Sequence, residues 1–257
     1  MKFGIVISAR LGSTRLPRKH LLDVQGEPIL KYLIIRIKNE FRREINLGSM
    51  ILFIATSKNK EDKDFNIFKK LGIEVFFGSN DNIPLRQLQV AKKYNLNYIL
   101  SIDGDDILCS PLAMRMVYEK LGKDCNYVST NNLPLGMNVS GYSTEFLNNS
   151  LLNYKNDILE TGWGRIFDNN YIDNIYFNPL SNIDKKLRFT LDYNEDYIFF
   201  NNLITKLHSS ISYLTDKEIV DEVIENKLYK LNGHLIDLYK KQFEKSLDME
   251  KQRNSKK

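Results

Sequence analysis

The sequence is poor in several features that would steer its reading. It has two cysteines, Cys109 and Cys125. They form no disulfide framework and lack the tight cysteine–histidine spacing of zinc sites, so reduced thiols of a cytosolic protein are the simplest reading. No run approaches the ~18 apolar residues of a membrane span. The opening MKFGIVISAR carries only about seven apolar residues before Arg10, at the short limit for a signal peptide. A cytoplasmic protein without a membrane partner is expected. There are three histidines, and no Ser-His-Asp or Cys-His arrangement to supply a nucleophile. His208 and His234 fall at helix ends and read as structural, whereas His20 lies beside candidate chemistry. No internal repeat is present, and the glycine spacing of the Walker-type phosphate loop and of the dinucleotide fingerprint is absent.

What is present is a 257-residue chain that is 42% hydrophobic, suited to one α/β domain or one domain with an appended subdomain. The formal charge is +5. Its surplus sits in an N-terminal loop (Arg10, Arg15, Arg18, Lys19) and in the C-terminal tail. A mild basic excess suits an anionic substrate or nucleic acid; the tail reads as solvated surface.

Residues 2–8 (KFGIVIS) form a short, β-branched apolar run expected to be a buried strand. Further strands are expected at 50–56 (MILFIAT), 74–77 and 98–102 (YILSI), with helices at 28–40, 60–71 and 84–94 between them. Pro28 suits a first helical turn, and Gly72 a helix end. This alternation predicts a Rossmann-like, mostly parallel sheet with helices on both faces, and ligands bind such sheets at the carboxyl ends of the strands. The second half is less regular: a helix at 111–121, a strand at 127–130, an irregular β-containing stretch at 131–187, a strand at 188–192 (RFTLD), then helices to 207, at 216–226 and at 233–251. The division expected is 1–215, with 131–187 serving acceptor binding or dimerisation, and a helical extension 216–257 with a frayed tail.

Two segments carry chemistry. Residues 8–21, SARLGSTRLPRKHL, place four cations within ten residues. Arginine forks match phosphate geometry, lysine adds a compact charge and serine a hydroxyl donor. Gly12 permits close backbone approach and an anion nest, and Pro17 stiffens the loop. Such cations repel one another until an anion arrives, so the loop reads as a nucleoside triphosphate holder. Asp103-Gly104-Asp105-Asp106 sets three carboxylates at a strand end, a hard-oxygen site suited to Mg²⁺. Thr190-Leu191-Asp192, with Glu195 and Asp196, is a later acidic motif. There Glu195 and Asp196 suit helix capping.

The loop from Ala9 to Lys19, A-R-x-x-S-T-R-L-P-x-K, resembles the signature of the cytidylyltransferase family that activates acidic sugars. That family includes the CMP-sialate and CMP-3-deoxy-manno-octulosonate synthetases, and the nearest branch is the spore-coat polysaccharide synthesis (SpsF-like) type. LLDVQGEPILKYLI, IATSKNKED, VFFGSNDNIPLRQLQVAKKY, IDGDDILCSP and RFTLDYNEDYIFF follow in family order, over about residues 3–207. The resemblance implies CTP, Mg²⁺ and release of pyrophosphate, for surface-glycan biosynthesis. It makes Arg10, Ser13, Arg15 and Lys19 the triphosphate contacts, Asp105 the principal metal ligand and Asp192 the second, with Asp103 less certain in role. It implies base recognition near Ser8, Ala9, Thr56 and Arg86, and a homodimer formed through the second half. Two places depart from the pattern. Ile107 replaces the usual proline, and ETGWGR at 160–165 stands where the branch reads more like Arg-Glu-His-Val-Thr. There Trp163 reads as an apolar wall and Arg165 as an anion clamp for the acceptor. Its identity stays open: an acidic sugar, or a phosphorylated or phosphonate compound. A transferase using another nucleotide, a non-catalytic nucleotide binder and a nucleic-acid binder acting through the tail also remain open at this point.

Overall fold

The computed structural model describes residues 1–123, 125–154 and 156–255. Strand β1 (Phe3–Ser8) is buried along its whole length. It leads through the basic loop to a small hairpin, β2 (Asp23–Val24) and β3 (Glu27–Pro28), and then to helices α1 (Leu30–Glu40) and α2 (Arg42–Asn46). Strand β4 (Met50–Ser57), a 3-10 helix (Glu61–Leu71), β5 (Glu74–Gly78), α3 (Ile83–Tyr94), β6 (Tyr98–Asp103) and α4 (Pro111–Leu121) complete the regular half. Next come β7 (Tyr127–Asn131), β8 (Ser140–Ser143), α5 (Thr144–Leu152), β9 (Asp173–Tyr176), α6 (Asn194–Leu207), α7 (Asp216–Glu225) and α8 (Leu235–Ser255).

The main sheet has the order β5-β4-β1-β6-β8-β7-β9. Strand β8 runs antiparallel to both neighbours, and the other pairings are parallel. Alternation along β1 splits the core in two. Phe3, Ile5 and Ile7 face a large cluster built with α1, α4, α6 and α7, whereas Val6 faces a smaller one with α3 and α5. A strand buried on both faces is apolar nearly throughout, which is why FGIVI reads as one unbroken run; the buried Ser8 hydroxyl that follows accepts from Gln87 Nε2. Caps fix the helix starts: Asn82 accepts from Leu85 N and Ser110 from Ala113 N, each satisfying an otherwise orphaned amide.

Several local expectations are corrected. Pro28 pairs with Asp23 across the hairpin and does not open the helix. Residues 188–192 form no strand; a single bridge joins Leu135 to Arg188. Phe189 N donates to Leu135 O at 2.7 Å and Leu191 N to Asp105 O at 2.9 Å, so this segment is held extended by bonds to loops instead of a ladder. Helix α5 was not foreseen; Ser143 caps it by accepting from Phe146 N. The chain does not fray at Lys251. Helix α8 continues to Ser255 because the Asn254 side chain accepts from Ile158 N and donates to Ile158 O. The last two lysines lie outside the described residues. No helix among the described residues is long and apolar enough to cross a membrane.

Gly136 sits where the irregular stretch meets residues 188–192. Its φ is +93°, and a Cβ there would lie 2.5 Å from the Phe189 carbonyl carbon and oxygen. Both the backbone angle and the space demand glycine. Gly136→Ala is expected to cost about 3 kcal/mol or more in urea unfolding; wild-type stability would contradict this placement.

Candidate functional site

The strand order reverses between β1 and β6, which stay paired to their carboxyl ends (Ser8 with Asp103); this is the switch point at which such sheets bind ligands. Backbone bonds draw the motifs together there. Gly104 N donates to Ser8 O at 2.8 Å. A Cβ on Gly104 would lie 2.8 Å from that of Ala9, so only glycine lets the two strand ends approach. The result is a recess of about 670 Å³.

The basic loop forms one rim. Its fold depends on the buried Asp62 carboxylate, which accepts from Leu11 N at 2.7 Å, from Ser57 N at 3.2 Å and from the Ser57 hydroxyl. Ser8, Ala9, Arg10, Gly12, Ser13, Arg15 and Lys19 all border the recess. The Ser13 hydroxyl also accepts from Leu16 N, closing a local turn. Arg10 pairs with Glu160, and Arg18 turns outward to Asp64.

The opposite rim is acidic: Asp103, Asp105, Asp106 and Asp192 all line the recess. Lys19 Nζ bridges the rims, lying 2.5 Å from Asp105 Oδ2 and 3.1 Å from Asp192 Oδ1. Burial alone would depress its pKa, but the two carboxylates outweigh burial and raise it. Burial would likewise raise the Asp105 carboxyl; Lys19 and His20 prevail and hold it well below the usual carboxylate range. His20 Nε2 is 2.8 Å from Asp105 Oδ1, which makes His20 a holder of the acid. Asp103 makes no ion pair among the described residues: desolvation within the recess and the neighbouring Asp105 charge push its carboxyl up, against the pull of Lys19. Asp106 is raised well above its ordinary value by burial and by the Asp103 and Asp105 charges.

Asp192 is fixed from several sides. Arg15 Nη2 reaches its Oδ1 at 2.6 Å and Arg188 Nη2 its Oδ2 at 3.1 Å. Arg188 is in turn held by Asp196, with Nε donating to Oδ1 at 2.8 Å. Asp196 Oδ2 also accepts from the amides of Asp192 and Tyr193 at the start of α6, so the expected capping carboxylate anchors the acidic rim as well. Sequence reading missed Arg188, whose signal was the spacing to Asp192 and Asp196.

Trp163 borders the recess, packed edge-on against Tyr142 and Phe167. Arg86 also reaches it; its guanidinium is buried and donates to Ser79 O and Asn80 O. Burial, aided by the nearby Arg10, lowers its pKa to about 10. Two candidates are placed elsewhere. Thr56 is fully buried in β4 and outside the lining, because its side chain points into the protein. Arg165 is no free anion clamp. It pairs with Glu250 and donates to Tyr154 Oη and to the carbonyls of Thr161 and Gly162. Its partner lies on α8, which supplies Tyr239, Gln242, Phe243 and Ser246 to the recess. This wall was not foreseen, since the C-terminal residues read as a solvated helix.

A cation already sits between Asp105 and Asp192 in the form of Lys19, so these hard oxygen donors fit a shared divalent ion. Mg²⁺ takes one or two carboxylates and completes its shell with water and phosphate oxygens. Among the described residues, no group of three or more His, Cys, Asp or Glu side chains is arranged to hold a metal alone. Any Mg²⁺ here would rest on these two acids and on ligand oxygens.

Residues 4–160 match the model of a family described as cytidylyltransferase. An uncharacterized protein of Methanocaldococcus jannaschii is 28% identical over 235 residues, spanning 90% of this chain and 93% of that one. A 3-deoxy-manno-octulosonate cytidylyltransferase of Haemophilus influenzae is 32% identical over 128 residues, 48% of this chain and 46% of its own length. The chain thus aligns with about half of that relative. A cytidylyltransferase structure from Leptospira borgpetersenii superposes with a TM-score of 0.75 at 24% identity, covering 90% of this chain and 98% of that one. A CMP:2-keto-3-deoxy-manno-octonic acid synthetase complexed with CTP gives a TM-score of 0.55 at 14% identity, covering 80% and 99%. These structural likenesses show the same α/β nucleotidyltransferase fold.

The clamp beneath the wall is directly testable. Glu250 Oε2 accepts from Glu160 N at 2.9 Å and Thr161 N at 2.8 Å, while Oε1 meets Arg165. Glu250→Ala is expected to destabilise the protein by about 2–4 kcal/mol and to speed hydrogen exchange at the 160 and 161 amides. Unchanged protection at both would show that the clamp does not hold the segment.

Proposed function

Because the chain belongs to the cytidylyltransferase family, we propose that it transfers the cytidylyl group of CTP to an anionic small-molecule acceptor, using Mg²⁺ and releasing pyrophosphate. The finer reading is a CMP-activated acidic sugar, or a related phosphorylated or phosphonate acceptor, made for surface-glycan assembly in the cytoplasm. The observation that carries it is the Lys19 bridge between Asp105 and Asp192. It sets a phosphate-seeking ammonium and two metal-seeking carboxylates at one point.

The loop cations are paired with acids: Arg10 with Glu160, Arg15 with Asp192, and Lys19 with both Asp105 and Asp192. A triphosphate offers Arg10, Arg15 and Lys19 oxygens in place of those carboxylates, joined by the Ser13 hydroxyl and the backbone amides around Gly12. When bound, Mg²⁺ would neutralise phosphate charge and polarise the α-phosphate. Asp105 and Asp192 would hold it, with Asp103 beside them, while Ser8, Ala9 and Arg86 border the place left for the base. The acceptor then attacks in line as pyrophosphate leaves, and positioning and charge neutralisation supply most of the rate. An attacking carboxylate or phosphate needs no general base; an anomeric hydroxyl needs modest help.

A homodimer through the second half is part of the same reading. Tyr142, Phe146, Trp163 and Phe167 pack on one another inside the subunit. That leaves Tyr171 and Tyr176, 61% and 68% exposed, as the aromatic surface available.

The test is pyrophosphate release from CTP, UTP, GTP and ATP against a panel of acidic sugars, sugar phosphates and phosphonates. CTP is expected to be preferred, with Mg²⁺ required and chelation abolishing turnover. Asp105→Asn is expected to reduce turnover about 100-fold or more. Metal-dependent turnover that survives this change would overturn the metal assignment, and preference for another nucleotide would overturn the donor.

A further inference from the structure

Helix α8 turns one face inward. Tyr239, Gln242, Phe243 and Ser246 border the recess, and Glu250 and Asn254 continue the same side at helical spacing. The last two fasten the helix to the 158–165 segment. The first four have a different surrounding. The Tyr239 ring lies under the Arg188 guanidinium, 4.8 Å from the ring centroid, and so borders the acidic rim across from the loop. The Gln242 amide and Ser246 hydroxyl are half-buried, and neither has a side-chain hydrogen bond among the described residues. They are polar groups at the edge of the recess.

The positive charge lining the recess is one-sided. Its cationic and imidazole groups, Arg10, Arg15, Lys19, His20 and Arg86, come from the loop and α3. The stretch 161–164 and the inner face of α8 contribute none, and Arg165 is consumed by Glu250. What remains on that side is Glu160, paired with Arg10, and otherwise aromatic or neutral groups: Trp163, Tyr239, Phe243, Gln242 and Ser246.

We propose that this inner face of α8, with Trp163, is the specificity wall for the acceptor, and that Gln242 and Ser246 are its polar determinants. The wall takes an acceptor whose body is uncharged and hydroxylated, with its negative charge confined to the end that meets the α-phosphate. Aromatic rings cover the apolar face of such a body, and an amide and a hydroxyl pair with its hydroxyl groups. A second anion at the far end would meet no cation and lose its hydration uncompensated. The proposal rests on the cytidylyl-transfer reading; it names residues that reading does not, and among the acceptors that reading allows it selects those without a second anion.

Trp163 is the single tryptophan of the chain, so its fluorescence reports on this wall alone. The full chain is titrated with hydroxylated sugar acids, each beside its far-end phosphate ester, while calorimetry follows CTP with Mg²⁺. At least one sugar acid is expected to bind about tenfold or more tightly than its phosphate ester. Gln242→Leu and Ser246→Ala are each expected to weaken that sugar acid about fivefold to tenfold with CTP affinity unchanged. Gln242→Lys is expected to improve the phosphate ester, a reversal that a merely structural role would not produce. Phosphate esters bound as well as the sugar acids, variants that bind acceptor like the wild type, or a Trp163 signal silent to every sugar acid would each overturn the wall. If CTP itself fails to bind, the donor reading fails and the wall's role falls with it; if CTP binds and the acceptor results fail, only the wall is lost.

Discussion

The Lys19 ammonium between Asp105 and Asp192 is the contact on which the recess depends. It joins three segments far apart in the chain, and its side chain is only 6% exposed. A buried ammonium survives only in the company of opposite charge, and two acids side by side survive only with a cation between them. Neither rim is tolerable alone. The loop, the end of β6 and the extended run before α6 must therefore arrive together, and the charge that holds them is the charge a ligand must displace.

Around this bridge the protein repeatedly uses carboxylates to hold backbone. Asp62 grips Leu11 and Ser57, Asp196 the amides of Asp192 and Tyr193, and Glu250 those of Glu160 and Thr161. Each takes several donors at once, so irregular loops that lack a ladder still have their amides satisfied. Three loops are thereby held in place by carboxylates, although none lies in the sheet.

How much of this was legible in the sequence follows from the range of each interaction. Strands β1, β4 and β6 and helix α4 were readable because unbroken apolar runs and Ser-Pro or Gly punctuation are local signals. The basic loop and DGDD stood out for the same reason: each is a cluster within a dozen residues, and both border the recess. The misreadings all have distant partners. Arg165 looks like an open clamp until Glu250 on α8 is placed against it. RFTLD has the alternation of a strand, yet its bonds run to Leu135 and Asp105. Thr56 sits at a strand end near the site, but its side chain is buried in the protein. Tyr239, Gln242, Phe243 and Ser246 belong to a charged, amphipathic stretch whose composition says surface; only the Glu250 and Asn254 contacts turn its inner face toward the recess.

Helix α8 is tied near both ends, with Tyr239 under Arg188 and Asn254 on the Ile158 backbone. Contacts near both termini of its described length hold the helix as a beam across the recess. The opposite rim is built otherwise: the side chains of Arg10 and Arg15 are 45% and 36% exposed, against 4% for Glu250. Traffic into the recess therefore falls to the loop. The solvent-facing parts of the recess are the long cationic side chains of the loop, whereas α8 is held by buried contacts.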